Sequence, residues 1–264
     1  MTPLLAAVSV FTLSLTVVVS AYAQPAIQIE GRVTEPGEYI VQPGARLLEA
    51  FRIADVAPDA YILGAAWLRR SELRTQSALK AGLLFDLKVL ASSDADGIDS
   101  ARRASAALAR RLAVQVAAMP VTGRRINALD PVRLELDPPR NRPLAAGDRL
   151  YFPARPRWIK VTGAVDADCV LPFVGMRPAS TYVDYCPPHS AADTDWLYVI
   201  QPDGTASRVG IAGWNRGPAR MLAPGAYIYV PLRHALLEGK AEQLNDDFAT
   251  FLGTQLLPQT EKGR

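Results

Sequence analysis

The sequence is poor in the residues that build metal and nucleophilic centres. Its 264 residues include two histidines and two cysteines, and their spacing does not match that of a zinc site. There is no glycine-rich loop of the Walker type and no dinucleotide fingerprint. We therefore expect a protein that is not an enzyme and that needs no metal or cofactor. Paired carboxylates remain open as an alternative, because their separation is set by the three-dimensional structure.

Acidic and basic residues nearly balance, with 29 Lys or Arg against 26 Asp or Glu. The formal net charge is +3, which is too small to indicate a nucleic acid as partner. The basic residues are unevenly placed, however. Residues 65–125 contain 11 Lys or Arg against five Asp or Glu, so the positive charge is concentrated in this part of the chain.

A single long apolar run is present, and it lies at the N-terminus. Residues 1–23 contain no charged side chain and end in Ala21-Tyr22-Ala23. A run of this kind before a small-x-small site predicts a secretory signal peptide that is removed before Gln24. An uncleaved membrane anchor is the alternative.

Two stretches of the remaining chain repeat each other. The pattern Ile-x-(Ile/Val)-x-Gly-x-Val begins at Ile27 and again at Ile159. A second pattern, Leu-Ala-x-Gly-x-x-(Leu/Ile)-Tyr-x-Pro, begins at Leu144 and again at Leu222. Internal repeats define the structural unit. The sequence therefore predicts one small domain that is used twice.

The first copy contains an insertion that the second copy lacks. It begins near Tyr61 and ends at about residue 119. Within it, residues 69–91 and 97–119 place apolar side chains at helical spacing. The insertion is therefore predicted to be a helical hairpin.

Local patterns predict the other elements. A short helix is expected from Leu47, and an amphipathic helix from Leu237 to Leu256, which Pro258 ends. Strands are expected where apolar and polar residues alternate or turns flank apolar runs, at residues 26–32, 38–41, 132–136, 150–152, 196–201 and 206–211.

Both cysteines, Cys169 and Cys186, lie in the second copy. Two thiols in an exported protein more often form a disulfide than stay free. We expect a disulfide between them, with two separate buried thiols as the alternative.

Four sequence motifs, and the order in which they occur, resemble the capsule biosynthesis GfcC family. They are the start pattern from Ile27, Pro-Val-Thr-Gly-Arg at 120–124, the closing pattern at 144–153, and the run at 155–165. The resemblance covers nearly the whole chain after residue 23. It implies a periplasmic protein encoded with capsular or exopolysaccharide export systems.

The resemblance also implies the fold. It predicts an α+β protein with two tandem β-grasp domains of the soluble-ligand-binding type, similar to those of Wza-like outer-membrane exporters. Those exporters begin with a lipidated cysteine, whereas position 24 is Gln, which favours an accessory protein over the pore. The expected divisions are 1–23, 24–156 with the hairpin at about 61–119, 157–232, and 233–264 for the C-terminal helix and tail.

Four arginines are the candidate ligand-binding residues. Arg124 follows Thr122-Gly123, where the hairpin is expected to rejoin the sheet. Its guanidinium could donate hydrogen bonds to a carboxylate or to sugar hydroxyls. Arg125 lies beside it, and Arg69 and Arg70 begin the hairpin. The alternatives are a buried structural Arg124 and a merely solvated helix face.

The C-terminal stripe is the candidate docking surface for a partner or the outer membrane. Packing against its own domain is equally consistent with the pattern. Trp158, Trp196 and Trp214 offer rings for sugar stacking, with core packing as the alternative. The stripe consists of Leu244, Phe248, Phe251, Leu252 and Leu256.

The leading hypothesis is a periplasmic accessory protein of capsular or exopolysaccharide assembly or export. It would bind glycan or an export protein, without catalysis, and would be a monomer in isolation. A carbohydrate-active enzyme with carboxylates in the interdomain cleft is one alternative. An oligomeric, membrane-associated export component is the other.

Overall fold

The computed structural model describes residues 25–93, 100–217 and 220–258. The predicted signal peptide therefore lies outside the described residues. Within them, two five-stranded sheets follow each other along the chain. The first contains β1 (Ala26–Gly31), β2 (Gly37–Ile40), β3 (Ala66–Leu68), β4 (Arg124–Arg125) and β5 (Arg149–Phe152). The second contains β6 (Trp158–Gly163), β7 (Cys169–Pro172), β8 (Trp196–Ile200), β9 (Ala206–Gly210) and β10 (Tyr227–Val230).

The two sheets have the same strand order. It is β2-β1-β5-β3-β4 in the first and β7-β6-β10-β8-β9 in the second. In each, the first strand pairs in parallel with the last, and the other pairs are antiparallel. The duplicated unit and the predicted α+β fold of two β-grasp-like domains are thus confirmed.

The repeated glycines explain why the start pattern recurs. Gly31 and Gly163 have φ angles of 94° and 102°, in the region that favours glycine. A Cβ atom at Gly31 would lie 2.0 Å from the carbonyl oxygen of Phe152, and one at Gly163 would lie 2.3 Å from that of Val230. Both copies therefore need glycine where the parallel strands approach most closely.

Helices account for most of the remaining elements. Residues 70–93 and 100–118 form the two helices of the predicted hairpin, and Ile62–Gly64 is a 3₁₀ turn. No helix within the described ranges has the length and hydropathy needed to cross a membrane. The helices are α1 (Leu47–Ala54), α2 (Arg70–Ser93), α3 (Ser100–Ala118), α4 (Pro131–Leu136), α5 (Ala179–Val183), α6 (His234–Leu237) and α7 (Leu244–Gly253).

The strand predicted at 132–136 is wrong, because this segment is helix α4. Asp130 caps it by accepting hydrogen bonds from the backbone N of Val132 at 2.9 Å and of Arg133 at 3.4 Å. Pro131 occupies the first helical turn, where its missing N–H costs nothing. These local signals outweigh a short alternating pattern.

The C-terminal helix predicted from Leu237 to Leu256 is two shorter helices. Helix α6 ends at Leu237 and α7 begins at Leu244. Between them, Gly239 adopts a φ of 69°, which takes the chain out of the helical path. The apolar spacing continues across this break because both helices cover the same core.

The hairpin formed by α2 and α3 packs on the second domain, although it belongs to the first copy. Its buried side chains share one core with the second sheet and α7, in which Tyr229 stacks on Phe248 with ring centroids 4.6 Å apart. The hairpin contributes Leu83, Leu87, Leu90, Leu108, Leu112 and Val116 to this core. The core of the first domain is a separate cluster without hairpin residues.

Polar contacts fix the hairpin in this position. Nη2 of Arg111 donates to the carbonyl oxygen of Gly163 at 3.1 Å and to that of Val165. Nε2 of Gln115 donates to Thr162 Oγ1 at 2.8 Å and to Asp168 Oδ2 at 2.9 Å. Helix α3 is therefore bound to the end of β6 and to the loop that follows it.

The disulfide predicted between Cys169 and Cys186 is confirmed. Their Cα atoms are 6.0 Å apart, which is within the usual range for a disulfide. The bond joins β7 to the segment after α5 and closes a loop with a sequence separation of 17 residues.

A matched pair of substitutions tests the packing of the hairpin. Leu112 is fully buried, whereas Val114 on the same helix is 71% exposed. We expect Leu112→Ala to lower the free energy of unfolding by about 2–5 kcal/mol. We expect Val114→Ala to change it by less than about 0.5 kcal/mol. Denaturant unfolding measures both, and similar small losses would contradict the packing described here.

A second prediction concerns the disulfide. Replacing both cysteines by serine removes a loop constraint worth about 3 kcal/mol in the chain-entropy model. We expect the melting temperature of the double variant to fall accordingly, and reductant to lower that of the wild type in the same way. Reductant added to the double variant is the control and should have no effect. A wild-type protein whose unfolding is indifferent to reductant would refute the prediction.

Candidate functional site

The base of the hairpin is a tightly hydrogen-bonded junction. Gly123 has a φ of 75°, and a Cβ atom there would lie 2.7 Å from the carbonyl oxygen of Arg69. The side chain of the buried Gln76 bridges the junction: it accepts from Gly123 N at 2.8 Å and donates to Arg124 O at 2.7 Å. The junction therefore holds both ends of the hairpin on the edge of the first sheet.

Arg124 begins β4 and points into the interior, where the residue is 3% exposed. Nη1 donates to the carbonyl oxygens of Gly253 at 3.3 Å and Gln255 at 2.9 Å. Nη2 donates to those of Ala65 at 3.3 Å and Pro202 at 2.6 Å. Burial lowers the pKa of the guanidinium to about 10, against the opposing effect of Asp203, so it remains charged at neutral pH.

The four carbonyl groups bound by Arg124 come from the residue before β3, from the β8–β9 turn, and from the end of α7 and the segment after it. This placement corrects the expectation that Arg124 contacts a ligand, because its donors are directed to backbone oxygens and the side chain is closed off from solvent. The buried structural alternative is the arrangement that the structure has.

The C-terminal stripe is likewise used inside the protein. Leu244, Phe248 and Phe251 are fully buried, and Leu252 is 1% exposed, all in the core shared with the hairpin. Leu256 packs against a small cluster of Ala66, Leu68 and Tyr151. The expectation of a docking face is therefore corrected: these side chains are already covered by their own chain.

Arg69 and Arg70 do come together, at a surface cavity of about 260 Å³ between the start of α2 and the turn before β5. We call this cavity the arginine pocket. It also includes Arg149, which the sequence reasoning did not select. Its lining consists of Leu68, Arg69, Arg70, Leu73, Val121, Thr122, Gly147 and Arg149.

Arg69 is held in place by a buried carboxylate. Its Nε lies 3.0 Å from Oδ1 of Asp148, which is 2% exposed as a residue. Oδ2 of the same carboxylate accepts hydrogen bonds from Trp67 Nε1 at 3.0 Å and from Ala145 N at 2.9 Å. The guanidinium also lies 4.5 Å from the centroid of the Trp67 ring. Arg69 is therefore both neutralised and fixed.

Arg149 and Arg125 are paired as well. Arg149 forms a forked contact with Glu30, with Nη2 2.9 Å from each carboxylate oxygen. Arg125 bonds Glu72 at 3.2 Å, and its guanidinium lies 5.6 Å from the Trp67 ring centroid. It is a neighbour of the arginine pocket and not part of its lining.

Arg70 differs from these three. It is exposed, and its guanidinium lies against Gly147, since a Cβ atom there would be 3.1 Å from Nε. Within residues 25–93, 100–217 and 220–258, no carboxylate pairs with it and no hydrogen bond from it is found. Its fork of donors is therefore available to a ligand, between two arginines whose charges are already balanced.

A comparison of the two copies would have revealed the missed residues. Asp148 and Arg149 follow the glycine of the closing pattern, where the second copy has Ala226 and Tyr227. Charged residues in one copy of a repeat, at positions that are apolar or aromatic in the other, indicate a role that the second domain does not share. The described residues contain no group of three or more His, Cys, Asp or Glu that could hold a metal ion.

The C-terminal part of the chain matches a known protein family. Residues 168–257 match the sequence model of the family described as capsule biosynthesis GfcC C-terminal. This range contains β7 to α7, including the disulfide and the helix that closes the shared core. Over these residues the chain is similar to the capsule biosynthesis GfcC family, which confirms the resemblance seen in its sequence.

A curated relative is similar over a longer part of the chain. The chain is similar to the uncharacterized protein YjbG of Escherichia coli (strain K12), with 28% identity over 197 residues. The alignment covers 75% of this chain and 79% of the relative. The similarity thus extends well beyond the C-terminal range matched by the family.

A substitution of Arg124 tests its structural role. Arg124→Met keeps the apolar stem but removes the donors, and it leaves buried carbonyl groups without partners. We expect it to lower the free energy of unfolding by about 3–5 kcal/mol. Arg125→Met, at the partly exposed neighbour, should cost about 1 kcal/mol or less. Chemical denaturation distinguishes the two, and an Arg124 variant as stable as the Arg125 variant would contradict the role assigned here.

Proposed function

We propose that this protein is a periplasmic, non-enzymatic accessory of capsular or exopolysaccharide assembly or export, and that it binds acidic glycan through the arginine pocket. Similarity of residues 168–257 to the capsule biosynthesis GfcC family supports the link to capsule assembly. The disulfide supports an oxidising compartment, as does the predicted signal peptide. The proposed working form is a monomer.

The observation that carries the binding proposal is the unpaired guanidinium of Arg70. A planar guanidinium matches a carboxylate in two parallel hydrogen bonds. Uronic acids place such a carboxylate on a polysaccharide. Arg69 and Arg149 add donors to the same cavity, while Asp148 and Glu30 balance their charges. The pocket thus favours one carboxylate, flanked by hydroxyl groups.

The alternative of an oligomeric membrane component has less support. An oligomer of this kind needs an exposed apolar face on the terminal helix, through which copies of the protein can associate. Phe248, Phe251 and Leu252 are instead buried in the core of the second domain. Exposing them would remove the cover of that core, which makes such a rearrangement costly.

Binding to an acidic oligosaccharide tests the proposal. Oligogalacturonate is a suitable probe because each unit carries a carboxylate. We expect the wild type to bind it at low salt in titration calorimetry, and Arg70→Ala to weaken binding at least about tenfold, or 1.4 kcal/mol. Arg70→Lys should restore part of the affinity, since it keeps the charge but not the fork.

Arg110→Ala is the matched control, since Arg110 is an exposed arginine on α3, outside the pocket. It should leave the affinity unchanged. An equal loss of affinity in the two alanine variants would indicate non-specific electrostatic attraction. It would contradict the proposal that the arginine pocket is the binding site. Release of shortened oligosaccharide during the titration would instead favour the enzyme hypothesis.

A further inference from the structure

The second domain displays a pair of tryptophans at its surface. Trp196 begins β8, and Trp214 lies in the loop after β9. Their ring centroids are 6.1 Å apart, with planes at 83°. Trp214 is 72% exposed, so most of its indole ring faces water. We call these two residues the tryptophan platform.

The loop that carries Trp214 is fixed by its neighbours. Nδ2 of Asn215 donates to the carbonyl oxygen of Asp195 at 3.0 Å, and Nη2 of Arg216 donates to that of Ile211 at 3.0 Å. The backbone of Asn215 also lies so close to Gly210 that a Cβ atom there would be 2.2 Å from the Asn215 carbonyl oxygen. The backbone that carries the exposed indole is therefore fixed on both sides of Trp214.

Arg208 joins the platform to a small polar cavity. Its guanidinium lies 4.0 Å from the centroid of the Trp196 ring, and no salt bridge to it is found in the described part of the chain. It also lines a cavity of about 160 Å³. The cavity is bounded by Asp193, Tyr198, Arg208, Pro231, His234, Glu242, Asn245 and Asp246.

The carboxylates of this polar cavity are oriented by the fold. Oδ1 of Asp246 accepts the hydroxyl hydrogen of Tyr198 at 2.6 Å. Oδ1 of Asp193 accepts hydrogen bonds from the backbone N of Asp195 at 2.8 Å and of Trp196 at 3.1 Å. In both groups, Oδ2 has no hydrogen bond to another described residue. One acceptor oxygen of each carboxylate is thus left for a ligand.

The composition of the polar cavity indicates which ligand it takes. Sugar hydroxyls both donate and accept hydrogen bonds, and the cavity offers carboxylate acceptors beside the guanidinium donors of Arg208. Asp193, Glu242 and Asp246 place three carboxylates against this one arginine, which repels an acidic sugar. An aromatic face next to such polar groups suits the apolar face of a sugar ring.

We infer that the tryptophan platform and the polar cavity form a binding site for an uncharged sugar unit of a glycan. The cavity is smaller than the roughly 300 Å³ of a typical small-molecule site, so one unit enters it and the chain continues over Trp214. The assignment of a glycan rests on the proposed function, but the site is separate from the arginine pocket and has the opposite charge.

A panel of neutral hexasaccharides built from glucose, galactose, mannose or N-acetylglucosamine tests this site by tryptophan fluorescence and titration calorimetry. We expect at least one of them to bind and to change the indole emission. Trp214→Ala and Asp246→Asn should each weaken that binding at least tenfold. Trp214→Phe keeps an aromatic face and should retain most of it.

Two controls make the result specific. Tyr185→Ala removes another exposed aromatic residue of the second domain, outside the polar cavity, and should have no effect on the binding of the neutral probe. Arg70→Ala should also leave it unchanged while it weakens oligogalacturonate. The inference would be overturned if no neutral probe binds. It would also be overturned if Trp214→Ala and Asp246→Asn both leave the binding intact. If only the binding of oligogalacturonate is absent, that result contradicts the arginine pocket and leaves the neutral-sugar site supported.

Discussion

The burial of the hairpin's leucine stripe against the second sheet is the interaction on which the rest of the structure depends. Two long amphipathic helices leave the first sheet after β3 and return at β4, yet their apolar side chains are absent from the first core. Leu83, Leu112 and Val116 instead complete the core around the second sheet and α7. Burial of apolar surface is the main favourable term in folding, so the second domain depends for its stability on a segment of the first. Arg124 reinforces this dependence, because its guanidinium binds carbonyl groups of both domains and of the C-terminal segment.

The same arrangement positions both proposed binding sites. Arg70 is the first residue of α2, so its location is set by the junction at which the hairpin leaves the sheet, with Trp67 and Asp148 beneath Arg69. Asp246, in the polar cavity, lies in the first turn of α7, whose opposite side is buried in the shared core. Each site thus has its charged group on an element anchored by the interdomain packing, and such rigid elements hold a binding group more precisely than loops do. The lining of the first proposed site is basic, and that of the second is rich in carboxylates.

Much of the fold was predictable because its signals are local or repeated. The pattern from Ile27 and its copy from Ile159 predicted the duplication, and both copies need glycine at the same close approach. The hairpin and the disulfide were also predicted. The strand prediction for residues 132–136 was wrong because Asp130, as the N-cap, and Pro131, in the first turn, favour a helix there. The sequence could not predict which sheet the hairpin's apolar stripe packs against. Helical spacing shows that one face of a helix is buried, but it does not identify the surface that buries it. The sequence leaves the role of Arg124 open between ligand binding and a buried structural contact for the same reason: an arginine that follows a glycine gives no sign of whether its partners are carbonyl groups or a ligand.

Differential scanning calorimetry of the oxidised protein tests most directly whether the two domains form one cooperative unit. If the hairpin and Arg124 join the cores as described, residues of both domains unfold together, and the calorimetric enthalpy equals the van't Hoff enthalpy of one transition. We expect a single peak with a ratio of the two enthalpies close to one. Two separate transitions, each with its own midpoint, would show that the sheets fold independently and would contradict the account.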